Sequence, residues 1–459
     1  MDFLSSVFTW LSEREAGISA VAAIIVIAGV VFAGFRFLLS RRSQPTTKVT
    51  SEEDPLLALP TGPTVAVLPF ENLSEDPKQE YFSDGLTEDI ITALSRFKDL
   101  FVIARNSTFR YKGQAVDVRQ LNKELGARYV LEGSVQRAGD ALRVTAQLLD
   151  AKDGTHLWAE TYDRELSAPN IFAVQDEITE QVVATIAGPQ GVISRTRFAE
   201  VKDKPTDRLD AYECVLHAAA YERDRQGIAS EHARVRDGLE RAVKSDPGYA
   251  EAWACLANIY IDEHRIHYEA RPDPLGRALD AARRAVDLDP ANQRARHALA
   301  AAYFYRHELD AFFAEAERAI ALNPNNAFVL ADIGHSLMFS GDGQGTALVR
   351  KAMKLDPLHP TWYYFAVALD HFDRGEYQEA LAAARKLDMP GYFWRQAYLA
   401  VIYAELGRQS EARSALKELL RLYPGFTIDK YVEEARKWNF RDERIRQWVA
   451  ALRKAGLPD

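Results

Sequence analysis

Six prolines, at positions 247, 290, 324, 357, 390 and 424, each close a helix-patterned run, so the successive intervals are 43, 34, 33, 33 and 34 residues. A fixed period of this length means that one helix-turn-helix unit is written again and again. Such a unit cannot bury its apolar face alone, so neighbouring copies must stack. The phrase Ala-x-x-x-x-Pro recurs from Ala242, Ala285, Ala319 and Ala352. Six residues after the first five prolines stand Trp253, Arg296, Leu330, Tyr363 and Gln396, and nine after stand Leu256, Leu299, Ile333, Ala366 and Leu399. Those offsets share one helix face. One place further on, Ala257, Ala300, Gly334, Val367 and Ala400 are mostly small, which lets two helices approach closely. Three irregularities stand out: extra residues around Glu263 to Pro274, Arg296 and Gln396 in place of an aromatic ring, and a shifted proline in the fifth unit. About six hairpins and a terminal cap are expected over 207–459.

The N-terminus carries a different signal. From Gly17 to Phe35 nineteen residues run without a charge, and Phe37 to Leu39 extend the run past Arg36. About 20 apolar residues suffice to cross a bilayer as a helix. No basic segment precedes the run and arginines follow it, which reads as an uncleaved anchor rather than a signal peptide. The expected layout is a flank over 1–16, a transmembrane helix over 17–39 and a polar, proline-punctuated linker over 40–63. Before the run the one basic residue is Arg14, whereas Arg36, Arg41, Arg42 and Lys48 follow it. That bias places the bulk of the chain in the cytoplasm.

Between anchor and repeats, residues 64–190 alternate short apolar runs with amphipathic stretches. Val65 to Phe70, Leu100 to Ala104, Tyr129 to Gln136, Ala141 to Leu149 and His156 to Tyr162 read as strands. Gln79 to Phe97, Val116 to Leu125 and Ile171 to Ile186 read as helices. Gly139-Asp140 and Asp153-Gly154 are hairpin turn signals. The order predicts a small sheet with helices packed on it, joined to the repeats by a linker over 191–206. The fold class is therefore α+β multidomain: a transmembrane helix, a small α/β domain and an all-α superhelix.

The chemistry-bearing residue types are sparse. Residues 64–190 hold one histidine, His156, and neither a Ser-His-Asp set nor a His-x-x-x-His pair, so no catalytic centre is expected. Gly341-Asp-Gly-Gln-Gly345 lacks the Lys-Ser or Lys-Thr of a phosphate loop and reads as a turn. The net charge of −9 excludes a general nucleic-acid binder. Cys214 and Cys255 form no Cys-x-x-Cys spacing. No metal, no cofactor and no small-molecule substrate are expected.

The run VAVLPFENLSEDPKQEYFSDGLTEDIITALSRFKDLFVIARNSTF, with GARYVLEGSVQ, LLDAKDGTHLWAETYDREL and IFAVQDEI, resembles the TolB-like (FlgO-type) amino-terminal domain. The repeats resemble tetratricopeptide repeats, and PGFTIDKYVEE and LRKAGLPD resemble the C-terminal ends of the same bacterial proteins. In those proteins the domain sits between a membrane helix and the repeats, behind a class III adenylate cyclase or a winged-helix module. The resemblance implies the non-catalytic part of such a protein in the bacterial inner membrane. It also implies a periplasmic position for the domains, opposite to the charge bias. Sixteen residues precede the membrane segment here, so cyclase activity is not carried over.

By the tetratricopeptide pattern the first helix of each hairpin lines a concave groove. The positions so placed include Asn258, Arg294, His297, Phe304, Tyr305, Phe328, His335, Met338, Phe339, Tyr364, His371, Phe372 and Trp394. Their middle is aromatic, with Met and His, so the expected ligand is an apolar helix or extended peptide of another protein. The functional expectation is a membrane-anchored interaction scaffold or sensor, not an enzyme. The alternative is a regulatory subunit or degenerate relative of a class III adenylate cyclase.

Overall fold

The computed structural model describes residues 62–74, 79–167, 169–224, 229–266, 271–357 and 359–459. The expected membrane segment over 17–39 and nearly all of the linker before residue 64 lie outside these residues. Among the described residues no helix is long and apolar enough to cross a membrane. Pro60–Asp459 form one compact unit.

The first layer is a mixed sheet ordered β3-β1-β4-β5-β6, with β2 (Glu71–Asn72) also paired to β4. Strand β1 (Thr64–Val67) runs parallel to β3 (Phe101–Val102) and to β4 (Tyr129–Ala138). From β4 the chain turns back through β5 (Ala141–Asp150) and β6 (Thr155–Glu165) as an antiparallel meander. Gly139 and Gly154 take positive φ at the two turns, where a side chain would strain the backbone. Helices α1 (Glu80–Leu94) and α4 (Ile171–Ile186) cover one face, burying Phe82, Leu86, Ile90, Ile178 and Val182 on Val144, Ala146 and Leu148. The short α2 (Arg105–Phe109) follows β3. On the other face α3 (Val118–Leu125) packs Leu121 against Ala66, Val130 and Leu149.

The stretch expected as a linker is instead helical over α5 (Val192–Val201). Ile193 belongs to the sheet core and Val201 packs with Tyr212 and Leu216 of the first repeat helix, so this segment joins the two layers by packing.

Six hairpins follow: α6/α7 (Ala211–Asp224, Ala229–Ser245), α8/α9 (Ala250–Ile266, Pro274–Leu288) and α10/α11 (Gln293–Tyr305, Leu309–Leu322). Then come α12/α13 (Ala327–Phe339, Gln344–Leu355), α14/α15 (Tyr364–Asp373, Tyr377–Ala384) and α16/α17 (Phe393–Glu405, Gln409–Leu422). A two-helix cap, α18 (Ile428–Lys437) and α19 (Asp442–Ala455), ends the chain. The local code is visible at the joints. Asp289, Asn323, Asp356 and Tyr423, each preceding a proline, are all extended and so stop their helices. Asn292 and Asn326 then cap the next helix, accepting from the backbone N–H of Ala295 and Val329. Gly334 and Gly345 meet where α12 crosses α13; a Cβ on Gly334 would lie 2.7 Å from the Gly345 carbonyl oxygen. Gly345 is thus a packing residue inside a helix, while Gly341 makes the turn. The extra residues of the 43-residue interval lengthen α8 by a turn, placing Glu263 against Arg236 and Arg277.

Candidate functional site

The first helices of hairpins two to six converge on one concave surface, but that surface is not an open groove. Two parts of the chain claim it.

At its N-terminal end the α/β layer docks through the Phe97–Asp99 loop and Pro189, which face Glu251, Arg294, Asn326 and Phe328 across a cavity of about 30 Å³. Gly188, at positive φ, lets the Phe97 ring come within 2.9 Å of its would-be Cβ. Arg294 is the hub: it donates to Glu251 (3.2 Å) and to Glu222, and Asn258 donates to Glu222 at 3.1 Å. His297 pairs with Asp332 at 3.0 Å and meets Phe328 edge to face. Burial, then the Glu251 carboxylate, pushes Asp99 up to about 6 against the opposing pull of Arg294. Arg294 and Phe328 therefore line this seam, and Asn258 and His297 are held behind it by Glu222 and Asp332.

At the C-terminal end the cap lies across the repeats. Asn439, in the left-handed region, donates from Nδ2 to the Phe304 carbonyl at 2.8 Å. Arg441 donates to the carbonyl of Ser340 (3.0 Å) and to that of Gly341. Arg444 donates to the carbonyls of Met338 and Phe339, both at 3.1 Å, and pairs with Asp373. These carbonyls lie at the C-terminal ends of helices α10 and α12, where a cation is favoured. Trp438 packs edge-on against Tyr305 and Phe339 at 5.6 and 5.4 Å, and Phe440 lies 5.1 Å from Phe339.

Between seam and cap one pocket remains, about 70 Å³. Its walls hold nine Phe, Tyr and Trp rings: Tyr305, Phe339, Trp362, Phe365, Tyr392, Trp394, Tyr398, Trp438 and Phe440. Arg265, Ile266, Asp332, His335, Ser336 and Met389 complete it. Arg265 pairs with Asp262 at 2.5 Å and lies 5.7 Å over the Trp438 ring. Burial opposes its charge, but Asp262, Tyr305 and Asp332 raise its pKa well above the ordinary arginine value.

Of the thirteen positions placed by the repeat register, Tyr305, His335, Phe339 and Trp394 line this pocket. Phe304 and Phe372 point into their own hairpins, against Phe312 and Tyr377. Met338 is buried where the cap crosses. Tyr364 and His371 are half-buried; Lys386 lies over the Tyr364 ring and Glu376 bonds His371 at 2.6 Å. The middle of the concave side is aromatic, as the register places it, but most of these rings are buried within the chain, several of them under its own cap and α/β layer. The register missed Trp438 and Phe440 because they lie beyond the repeats. It missed Trp362 because Pro360 starts that helix with a short 3-10 turn, Thr361–Tyr363, which shifts the ring into the pocket.

Among the described residues no group of three or more His, Cys, Asp or Glu side chains is placed to hold a metal ion. Cys214 and Cys255 are buried free thiols.

Residues 61–181 match a family described as the second domain of HilA/YgeH-like transcriptional regulators, which covers the α/β layer. Over 285 residues the chain is 41% identical to "Putative adenylate cyclase 3" of Rhizobium meliloti (strain 1021). That alignment takes in 61% of this chain and 45% of the relative, so the chain spans less than half the relative's length. Among solved structures, PilF of Pseudomonas aeruginosa is similar at 18% identity, over 49% of this chain and 97% of that one, with a TM-score of 0.35. The Cut9–Hcn1 assembly of the APC/C is similar at 15% identity, over 62% and 52%, with a TM-score of 0.39.

Proposed function

We propose that this chain is a membrane-anchored interaction scaffold that holds a partner protein through the aromatic pocket on the concave side of its repeats. The observation that carries the reading is the pocket itself: nine rings from four successive hairpins and the cap converge on one partly open cavity. Aromatic walls give a partner side chain large contact area with few rotors to freeze. The anchor is the uncharged run from Gly17 to Phe35. A photo-crosslinking residue at Tyr392, half-buried on the pocket wall, should trap a specific protein in native membranes, while one at exposed Phe313 should not. Equal labelling from both positions would remove the pocket from the account.

A second reading, regulation of a class III adenylate cyclase, is favoured by the 41% identity to the Rhizobium protein. Under it the trapped protein is a cyclase chain, and mass spectrometry of the crosslinked product distinguishes the two. Cyclase activity from the purified chain alone would overturn the non-enzymatic assignment common to both.

A further inference from the structure

Strand β6 closes the sheet on one side. It pairs with β5 from Thr155 to Glu165, and among the described residues no strand lies along its other edge. At 11 residues it is the longest strand described, and most of its residues are exposed. The strand at the opposite edge, β3, has only two residues. A long edge of this kind presents a row of backbone N–H and C=O groups with which another strand can pair.

The side chains of β6 select the strand that fits. Trp158, Glu160, Tyr162 and Arg164 stand opposite Leu148, Ala146, Val144 and Leu142 of β5, so they share the face that α1 and α4 cover. Ala159, Thr161, Asp163 and Glu165 share the other face. About the buried Tyr162 the charges are inverted: exposed Glu160 lies two residues before it and Arg164 two after. A second β6 laid antiparallel, with the two-fold axis through Tyr162, sets Glu160 of each copy opposite Arg164 of the other. On the other face it sets the Thr161 hydroxyl opposite the Asp163 carboxylate, again twice. Opposite-charge and hydroxyl pairs across strands stabilise a sheet, and like charges directly opposite destabilise it. An axis through Glu160, Asp163 or Arg164 opposes identical charges, one through Thr161 makes no ion pair, and parallel pairing in register sets every charge against itself. Charges on an edge strand discourage pairing in general; here their order leaves one antiparallel register favourable. The Arg164 guanidinium carries more N–H donors than its bonds to Asp163, Glu177 and Gln181 use, so it can take an incoming carboxylate as well.

We propose that β6 is an interface between two copies of this chain, paired antiparallel about Tyr162 so that the two sheets become one. The same strand serves both copies, as a two-fold interface requires. This goes beyond the partner-holding reading of the repeats and does not depend on it.

The test measures the mass of the full chain in detergent micelles by sedimentation. The parent should be a dimer. Glu160→Arg and Arg164→Glu should each weaken self-association by about tenfold or more, because each replaces two attractive pairs by two repulsive ones. An equimolar mixture of the two variants opposes unlike charges at both positions again, and it should dimerise about as tightly as the parent. That recovery cannot come from a chain that has failed to fold. The register is read separately by oxidising Thr161→Cys and Asp163→Cys chains, since Cys214 and Cys255 are buried. The mixed pair should form an interchain disulfide more readily than either variant alone, because positions 161 and 163 lie directly opposite and identical positions only diagonally. A monomeric parent, a dimer that neither variant weakens, or a mixture no tighter than its components would overturn the proposal. A disulfide that forms faster between identical positions would overturn it too, by placing the axis elsewhere.

Discussion

Tyr305 and Phe339 stand both in the packed interior and on the pocket wall. Each lines the pocket, yet each is buried under Trp438 of the cap. Tyr305→Ala or Phe339→Ala should therefore cost about 3 to 5 kcal/mol of stability, as large-to-small core changes do, and a calorimetric scan should show the melting temperature falling by several degrees. An unchanged melting temperature would mean that the cap does not rest on these rings. Asp99 offers a test of the seam. Its carboxyl is raised from 3.8 to about 6 by burial and by Glu251, with Arg294 opposing. A raised carboxyl pKa means that the docked form binds the proton more tightly. The stabilising contribution is full below the unfolded value and is lost as pH rises through about 6. Between roughly pH 4 and pH 6.5 the parent should thus lose more stability than Asp99→Asn; parallel pH profiles would remove Asp99 from the seam. At this scale the sequence was a partial guide. It placed Tyr305, His335, Phe339 and Trp394 on the pocket side because register alone fixes helix faces. It could not say that Arg294 would be consumed by Glu222 and Glu251, which lie 72 and 43 residues away.

Elements were more legible than residues. Strand alternation, glycine turns and the proline period all act locally, so five of the six strands among the described residues, with helices α1, α3 and α4, follow from short stretches. The two-residue β2 and the five-residue α2 are too brief to carry a period. The cap was the element whose place could not be read, because its contacts bridge 100 residues or more, from Arg441 to Ser340 and from Asn439 to Phe304. Its attachment is a matter of helix-end chemistry: Arg444 bonds two terminal carbonyls of α12. Arg444→Met should leave those carbonyls and Asp373 without their cation and cost about 1.5 to 3 kcal/mol. Hydrogen exchange should then quicken in Ile428–Lys437 and Asp442–Ala455 before it does in the sheet. Unchanged exchange in the cap would show that its apolar contacts alone hold it. Gly334→Ala tests the α12/α13 crossing in the same way. A Cβ 2.7 Å from the Gly345 carbonyl must push the helices apart, at about 1 to 3 kcal/mol.

At the scale of the whole molecule, we propose that an anchor, the sheet layer and the repeat array act together to hold a partner. We propose from the basic residues after Gly17 to Phe35 that the folded bulk lies in the cytoplasm; alkaline phosphatase fused after Asp459 should then be inactive, and high activity would put the pocket in the periplasm. The measurement that bears most directly on the central claim is crosslinking from position 392 in native membranes. We predict one dominant partner band, absent from position 313 and little changed between about 50 and 500 mM salt, because screening acts on charges and the pocket walls are mainly aromatic. No band from position 392, or an equal one from 313, would contradict the claim that the pocket is where this chain holds its partner.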